Sequence, residues 1–413
     1  MSGTAQIYVI FSLFLRTFCD YLGMLRLPSP HSFDKIPTPF YYYDMGLLGE
    51  TLDTLSAMAE KYCIKVHYAM KANYEGKIMR KIAERGFGAD CVTANEAEWA
   101  VKNGFVPGKL MFAGVGKTDD EIRRCLLLGI GAFNCESIQE LQVIDSIAGE
   151  MGLRARVGIR MNPNVDAHTH RYITTGLEEN KFGIETYAID SLVSTLKTCR
   201  NVDFTGLHFH VGSQILDSIE EVFRLTCERA GEIVKAFEDR GLEVGSIDLG
   251  GGLGVLYADP DSALVPDFEK WFSTIDKYLR RRPGQVVRVE PGRSVVAQCG
   301  SLISRVLYVK PARTKTFLIL DAGMNDLIRP ALYGSFHLIE NLSAGFRGEE
   351  VMQDYDVVGP VCESDDVWGN NRELPLSLRG DLMAIRSAGA YGSTMSSRYN
   401  LRDLAKAVFS DEI

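Results

Sequence analysis

KVHYAMKANYEGKIMRKIAERGFGADCV (residues 65–92) decides the fold, because it reads in turn as strand, helix and strand. Its first six residues are β-rich, the stretch around residues 76–85 spaces its apolar side chains for an amphipathic helix, and GADCV returns to strand. The beat continues through KLMFA (109–113), GAFN (131–134), ARVGIRM (155–161), DFTGLHFH (203–210), GSIDLG (245–250) and QVVRVE (285–290). Strands alternating with helices at this spacing run parallel and are joined by right-handed crossovers. The number of strand signals predicts a closed (β/α)8 TIM-like barrel over residues 45–292 rather than an open sheet.

After residue 293 the texture changes. SLISRVLYVK (301–310), TKTFLILDAG (314–323), DYDVVGPVC (354–362) and DLMAIRSAG (381–389) read as strands between turns that contain Gly, Asn and Pro. TPFYYYD (38–44) has the consecutive aromatics of a strand and suits the same sheet, so the second, mainly β domain is expected to combine residues 36–44 with 293–413. Residues 1–35 are left as an N-terminal extension of unknown role. Its apolar run IYVIFSLFL (7–15) has no basic residue before it and is broken by Arg16, too short to span a bilayer and unlike a secretory signal.

Composition excludes several classes of function. A formal net charge of −9 argues against nucleic acid as a partner, since neutralising phosphates requires a surplus of Lys and Arg. The nine cysteines are scattered, without a CxxC pair, which fits a reducing cytoplasm and gives no thiolate metal site.

Four strand ends carry residues suited to chemistry. Lys71 follows HYAM, where its amine can condense with an aldehyde. Gly250, Gly251 and Gly252 follow SIDL, and their backbone N–H groups can approach a phosphate closely. EPGR (290–293) places Glu290 where it can pair with a protonated ring nitrogen and Arg293 where its fork can hold a carboxylate or phosphate. HFHVGSQ (208–214) supplies His208, His210 and Ser213. Two His two residues apart raise a metal pair, but no third ligand is evident in the sequence, and an imidazole lying on a flat ring is the better reading.

The ordered set YAMKAN (68–73), HFHVGSQ, DLGGGLG (248–254), EPGR, CESDD (362–366) and AGAYG (388–392) resembles the fold-type III pyridoxal-phosphate decarboxylases, whose architecture is like that of alanine racemase. The likeness runs from about residue 36 to the C-terminus. DAGMNDLIRPALY (321–333) points within them to the branch that acts on diaminopimelate, rather than to decarboxylases of another basic amino acid or polyamine precursor.

The resemblance implies pyridoxal 5'-phosphate as cofactor, carried on Lys71, with His210 stacked on the ring. Ser213, Gly251, Gly252, Gly292 and Arg293 would hold the phosphate end, Glu290 would face the ring nitrogen, and Tyr391 would touch the cofactor and substrate. Arg293, Arg329 and Tyr333 would take the distal carboxylate and Glu363 the distal ammonium. Cys362 would donate a proton across the interface of a homodimer with shared active sites. The implied reaction converts meso-2,6-diaminopimelate to L-lysine and carbon dioxide, the last step of lysine biosynthesis, with no metal and no membrane partner. This chain departs from the family at VTANEAE (92–98), where a serine and paired glycines usually precede the glutamate.

Overall fold

Three consecutive crossover helices begin where the sequence supplies a cap. Thr93, Thr118 and Ser137 each accept a hydrogen bond from the backbone N–H three residues on, at Glu96, Glu121 and Glu140. The Thr118 N–H in turn donates to the Glu121 carboxylate, which satisfies two otherwise orphaned donors. Gly129, at φ +70°, closes the helix that Thr118 opens.

In this computed structural model residues 27–165 and 181–413 are described. The apolar run at residues 7–15 and most of the expected N-terminal extension lie outside the described residues. The chain divides into two compact units. One holds Leu48–Val255 and Val265–Ala297; the other holds the residues up to Leu47, Leu256–Leu264 and Gln298–Ile413. No helix among the described residues is long and apolar enough to cross a membrane.

The first unit is a closed parallel barrel of β2 (Ile64–Ala69), β3 (Gly88–Cys91), β4 (Leu110–Phe112), β5 (Ala132–Cys135), β6 (Ala155–Arg160), β7 (Val202–His208), β8 (Ser246–Asp248) and β9 (Val286–Val289). The ring closes where β2 pairs with β9, Ile64 opposite Val287 and Val66 opposite Val289. The expected (β/α)8 architecture is therefore present, strand for strand. Outward-facing residues such as Tyr68, Val157 and Ile247 are buried against the helical layer. The helix Ile219–Glu238 shows how: Phe223, Cys227, Ala230, Val234 and Phe237 form one buried stripe, and Phe223 meets Trp271 of the helix Phe268–Tyr278 at 5.5 Å. The inward-facing positions of many barrels of this type are branched apolar residues. Here they include Asp90, Asn134, Arg160, His208, Asp248 and Glu290, all buried. A lumen of that kind costs folding energy unless its groups are paired or used.

The second unit is a largely antiparallel sheet in the order β12 (Ile339–Asn341), β15 (Leu382–Ile385), β10 (Gly300–Pro311), β11 (Thr316–Leu320), β13 (Met352–Val358) and β14 (Val367–Pro375). The aromatic run Phe40–Tyr43 forms β1, antiparallel to β10 and parallel to β16 (Lys406–Phe409). Phe33, Phe40, Tyr42, Ile303, Leu382 and Ala384 pack into a fully buried cluster beneath it.

Candidate active site

The C-terminal ends of the barrel strands bring together Lys71, His208, His210, Gly251 and Glu290, while Arg329, Tyr333, Cys362, Glu363 and Tyr391 belong to the β unit. Lys71 lies in the single turn Met70–Ala72 just past β2, and its Nζ reaches Asp90 Oδ2 at the end of β3 at 3.1 Å. The EPGR turn packs directly on this segment: the Ala69 N–H donates to the Pro291 carbonyl at 3.0 Å. A Cβ on Gly292 would come within 3.1–3.2 Å of Ala69 and Ala72. Only a glycine lets the two turns lie this close without displacement.

At the end of β7, His208 Nε2 and Glu290 Oε2 are 3.2 Å apart and both side chains are buried. Burial raises Glu290 well above the usual carboxylate range, and neighbouring Asp90 adds to it, against the pull of Lys71 and Arg160. Burial also lowers His208 to about 4, opposed by Asp248 and reinforced by Arg160. Asp248 rises to about 7, again through burial first and then Glu290. His208, Asp248 and Glu290 bring their ligand atoms within 4.8 Å of one another, the one such His/acid triad among the described residues. The partner that could complete a metal set with His208 is thus not His210, although the His208–Glu290 contact already occupies one ligand atom of each.

The glycine run forms a cradle. Gly250 has φ +68° and Gly252 φ +126°, both in backbone regions that side chains disfavour. A Cβ on Gly250 would sit 2.5 Å from His210 Nδ1 and from the Phe209 carbonyl, and one on Gly251 would sit 2.4 Å from the Glu290 carbonyl. The Gly251 N–H donates to His210 Nδ1 at 3.2 Å, which fixes the ring's orientation. Arg293, itself buried, donates from Nη2 to Ser213 Oγ at 3.1 Å.

Three further buried charged residues line these strand ends without being singled out by the sequence. Asp90 lies inside the strand GADC. Arg160 and Glu136 form a buried pair at 2.9 Å, and Glu136 also accepts from the Gly114 and Gly183 N–H groups. The signal available was positional: each is a lone charge at or just beyond the end of an apolar strand. The VTANEAE segment opens the helix Ala94–Lys102, with Glu96 reaching back to the Val92 N–H at 2.7 Å. Burial pushes that carboxyl up to about 7.

In the β unit, Arg329 is only 4% exposed. Its Nη1 donates to His337 Nε2 at 2.9 Å and its guanidinium lies over the Tyr257 ring at 4.5 Å. His337 Nδ1 therefore carries the ring proton and donates to the Arg386 carbonyl at 2.8 Å. Tyr333 closes the same short helix, Arg329–Tyr333, and is half-buried. Cys362 and Glu363 are exposed, on a loop held by Asp366, whose carboxylate accepts from the Val361 and Met324 N–H groups. Tyr391 has φ +56°, a conformation that non-glycine residues adopt rarely.

Residues 48–297 match the family model described as pyridoxal-dependent decarboxylase, pyridoxal binding domain. The chain belongs to the pyridoxal-dependent decarboxylases. Its similarity is to their diaminopimelate branch: the diaminopimelate decarboxylase of Bacteroides thetaiotaomicron is 50% identical over 382 residues, covering 92% of this chain and 97% of that protein. The enzyme of that name from Zymomonas mobilis is 39% identical, covering 92% and 90%. The crystal structure of diaminopimelate decarboxylase from Helicobacter pylori complexed with L-lysine superposes with a TM-score of 0.86 at 37% identity, covering 93% and 94%.

Family membership brings pyridoxal phosphate as cofactor, and the barrel's chemistry fits that group. Glu290 Oε1, His208 Nδ1 and Asp90 Oδ1 are buried without a hydrogen-bond partner. Leaving such atoms unpaired costs about 1–3 kcal/mol each, a cost that a bound polar ring can offset.

Proposed function

We propose that this decarboxylase converts meso-2,6-diaminopimelate to L-lysine and carbon dioxide. The observation that carries the reaction class is Glu290: a buried carboxylate with an unpaired oxygen, at the end of a barrel strand and within electrostatic reach of Lys71. Likeness to diaminopimelate decarboxylases along nearly their full length narrows the substrate.

When bound, pyridoxal phosphate supplies a conjugated ring that accepts the electron pair left by the departing carboxyl group. Glu290 would hold the proton at the ring nitrogen, and His208 would fix that carboxylate's position through its 3.2 Å contact. Lys71 would hold the cofactor between turnovers and Asp90 would orient its amine. His210, locked by the Gly251 N–H, would cover one ring face, while Ser213, Gly251, Gly252, Gly292 and Arg293 would bind the phosphate end.

Substrate selection would fall chiefly to the β unit, joined by Arg293 of the barrel unit. Arg329, Tyr333 and Arg293 would take the distal carboxylate, Glu363 the distal ammonium, and Tyr391 would border both ligands. Arg329 is suited to this because His337 and Tyr257 hold its planar fork in place. Cys362 would give a proton to the substrate carbon after carboxyl loss. Its exposure in the single chain supports a homodimer in which Cys362 and Glu363 serve the partner's site. Free thiols at every described cysteine suit a reducing cytoplasm.

Replacing Arg329 tests the substrate assignment. Arg329→Ala is expected to lower kcat/KM for diaminopimelate by about a hundredfold, the loss of one charge-assisted bidentate contact. The absorbance of the bound cofactor should be unchanged. An unaltered rate would contradict the assignment.

A further inference from the structure

A cavity of about 510 Å3 opens at the N-terminal end of the barrel, the end opposite Lys71 and Glu290, and all its lining belongs to the barrel unit. Its size is that of metabolite sites, typically about 300–1,000 Å3. Lys65, Lys109, Arg156 and Arg288 line it, with Glu60 as the one carboxylate of the wall. Arg85 also lines it but is committed to Asp53 at 2.7 Å. Lys109 Nζ donates to the Gly86 carbonyl. Lys65, Arg156 and Arg288 make no salt bridge to a carboxylate among the described residues, although Asp203 lies within electrostatic reach of Arg156 and Asp248 within reach of Arg288. This concentration of positive charge runs against a chain whose net charge is −9.

Exposed cations on a barrel rim are ordinarily just solvated. Two observations set this group apart. Arg288 stands in the lumen, where burial lowers its pKa and Arg156 adds repulsion, with Asp248 pulling the other way. His67 is 6% exposed, lines the same cavity, and its Nδ1 has no hydrogen-bond partner. Burial, then Arg288 and Lys109, lower His67 to about 3, so the ring is neutral and has one N–H to donate. The ring stands where a side chain at residue 88 would be: a Cβ on Gly88 would lie 2.2 Å from His67 Cδ2. Mutually repelling cations beside a neutral imidazole are what an anion would compensate.

We propose that this cavity binds a small, multiply charged oxyanion, carrying either phosphates or several carboxylates, between Lys65, Arg156, Arg288 and His67. The site is separate from the cofactor's phosphate cradle, which lies at the other end of the barrel. Through Arg288 it faces Asp248, the carboxylate beside His208 and Glu290, so charge placed there acts on the floor of the opposite site. The proposal stands independently of the substrate assignment.

The test is calorimetric titration of the enzyme loaded with pyridoxal phosphate, so that the cradle is filled, using pyrophosphate in one arm and citrate in the other. The wild type, Arg156→Ala and Lys65→Ala are compared, both replacements lying at the solvent-facing side of the cavity. One saturable site per chain for at least one anion is expected, weakened about tenfold by each replacement. The preferred arm identifies the phosphate or carboxylate source. No saturable binding of either anion, or equal affinity in the wild type and whichever variants fold, would overturn the proposal.

Discussion

Asp248 illustrates how a polar lumen ties stability to pH. Its side chain donates nothing when ionised, accepts from the Gly250 N–H through Oδ1, and leaves Oδ2 unpaired. Its carboxyl is raised to about 7, chiefly by burial, whereas in the unfolded chain it titrates near 3.9. Between those values the folded state binds more protons than the unfolded one, so this group's contribution to stability is present below about pH 4 and is lost as pH rises towards 7. His208 and His67 act with the opposite sign. Their folded values near 4 and 3 lie below the unfolded value near 6.5, so they withdraw stability as pH falls below about 6.5. Asp248→Asn should therefore gain stability over wild type on going from pH 4 to pH 7, by no more than about 4 kcal/mol. Urea unfolding of the cofactor-free protein at the two pH values measures it, and a pH-independent difference would contradict the assignment.

At the scale of elements, the loop between β8 and the following helix depends on its glycines. Gly250→Ala forces a left-handed residue and drives a Cβ against the Phe209 carbonyl and the His210 ring, on the segment that directly follows β7. The expected cost is about 2–4 kcal/mol together with weakened cofactor binding. Gly231→Ala is the control: it lies within the helix Ile219–Glu238 with nothing near its Cβ, and should be neutral or stabilising by up to about 1 kcal/mol. Thermal unfolding of both variants and fluorescence titration of the cofactor separate the two outcomes; equal behaviour would remove the steric argument.

The barrel was legible for a physical reason. Most of its strands are short runs rich in apolar residues, and several of its helices carry their own caps, so local and tertiary preferences agree. The strand β14, VWGNNRELP, was not read, because Gly369, Asn370 and Asn371 look like a turn. Instead, Asn371 takes φ +49° within the strand and its N–H is satisfied by the Asp356 carboxylate. Tertiary partners override the local signal there. Asp90, Arg160 and Glu136 were missed for a related reason. A single charge within an apolar run has no period, and its meaning appears only when ring closure turns it inward beside its partners. His337 was equally silent in sequence, since its role consists of holding Arg329 and donating to a distant carbonyl.

For the whole molecule, the exposure of Cys362 and Glu363 bears on assembly. If each subunit lends these residues to its partner, Lys71→Ala and Cys362→Ala proteins, each inactive alone, will complement when mixed under conditions that exchange subunits. Random pairing leaves one intact site in half of the dimers, so about a quarter of wild-type activity should return. No recovery, with heterodimer formation verified by tagged pull-down, would place the proton donor within its own chain's site.

The most direct measurement supplies purified protein and pyridoxal phosphate with meso-diaminopimelate, ornithine, lysine and arginine in separate reactions, and follows carbon dioxide and the amino product. The account predicts release of carbon dioxide from diaminopimelate alone, with L-lysine formed in equal amount. Preferential turnover of ornithine, lysine or arginine would contradict it.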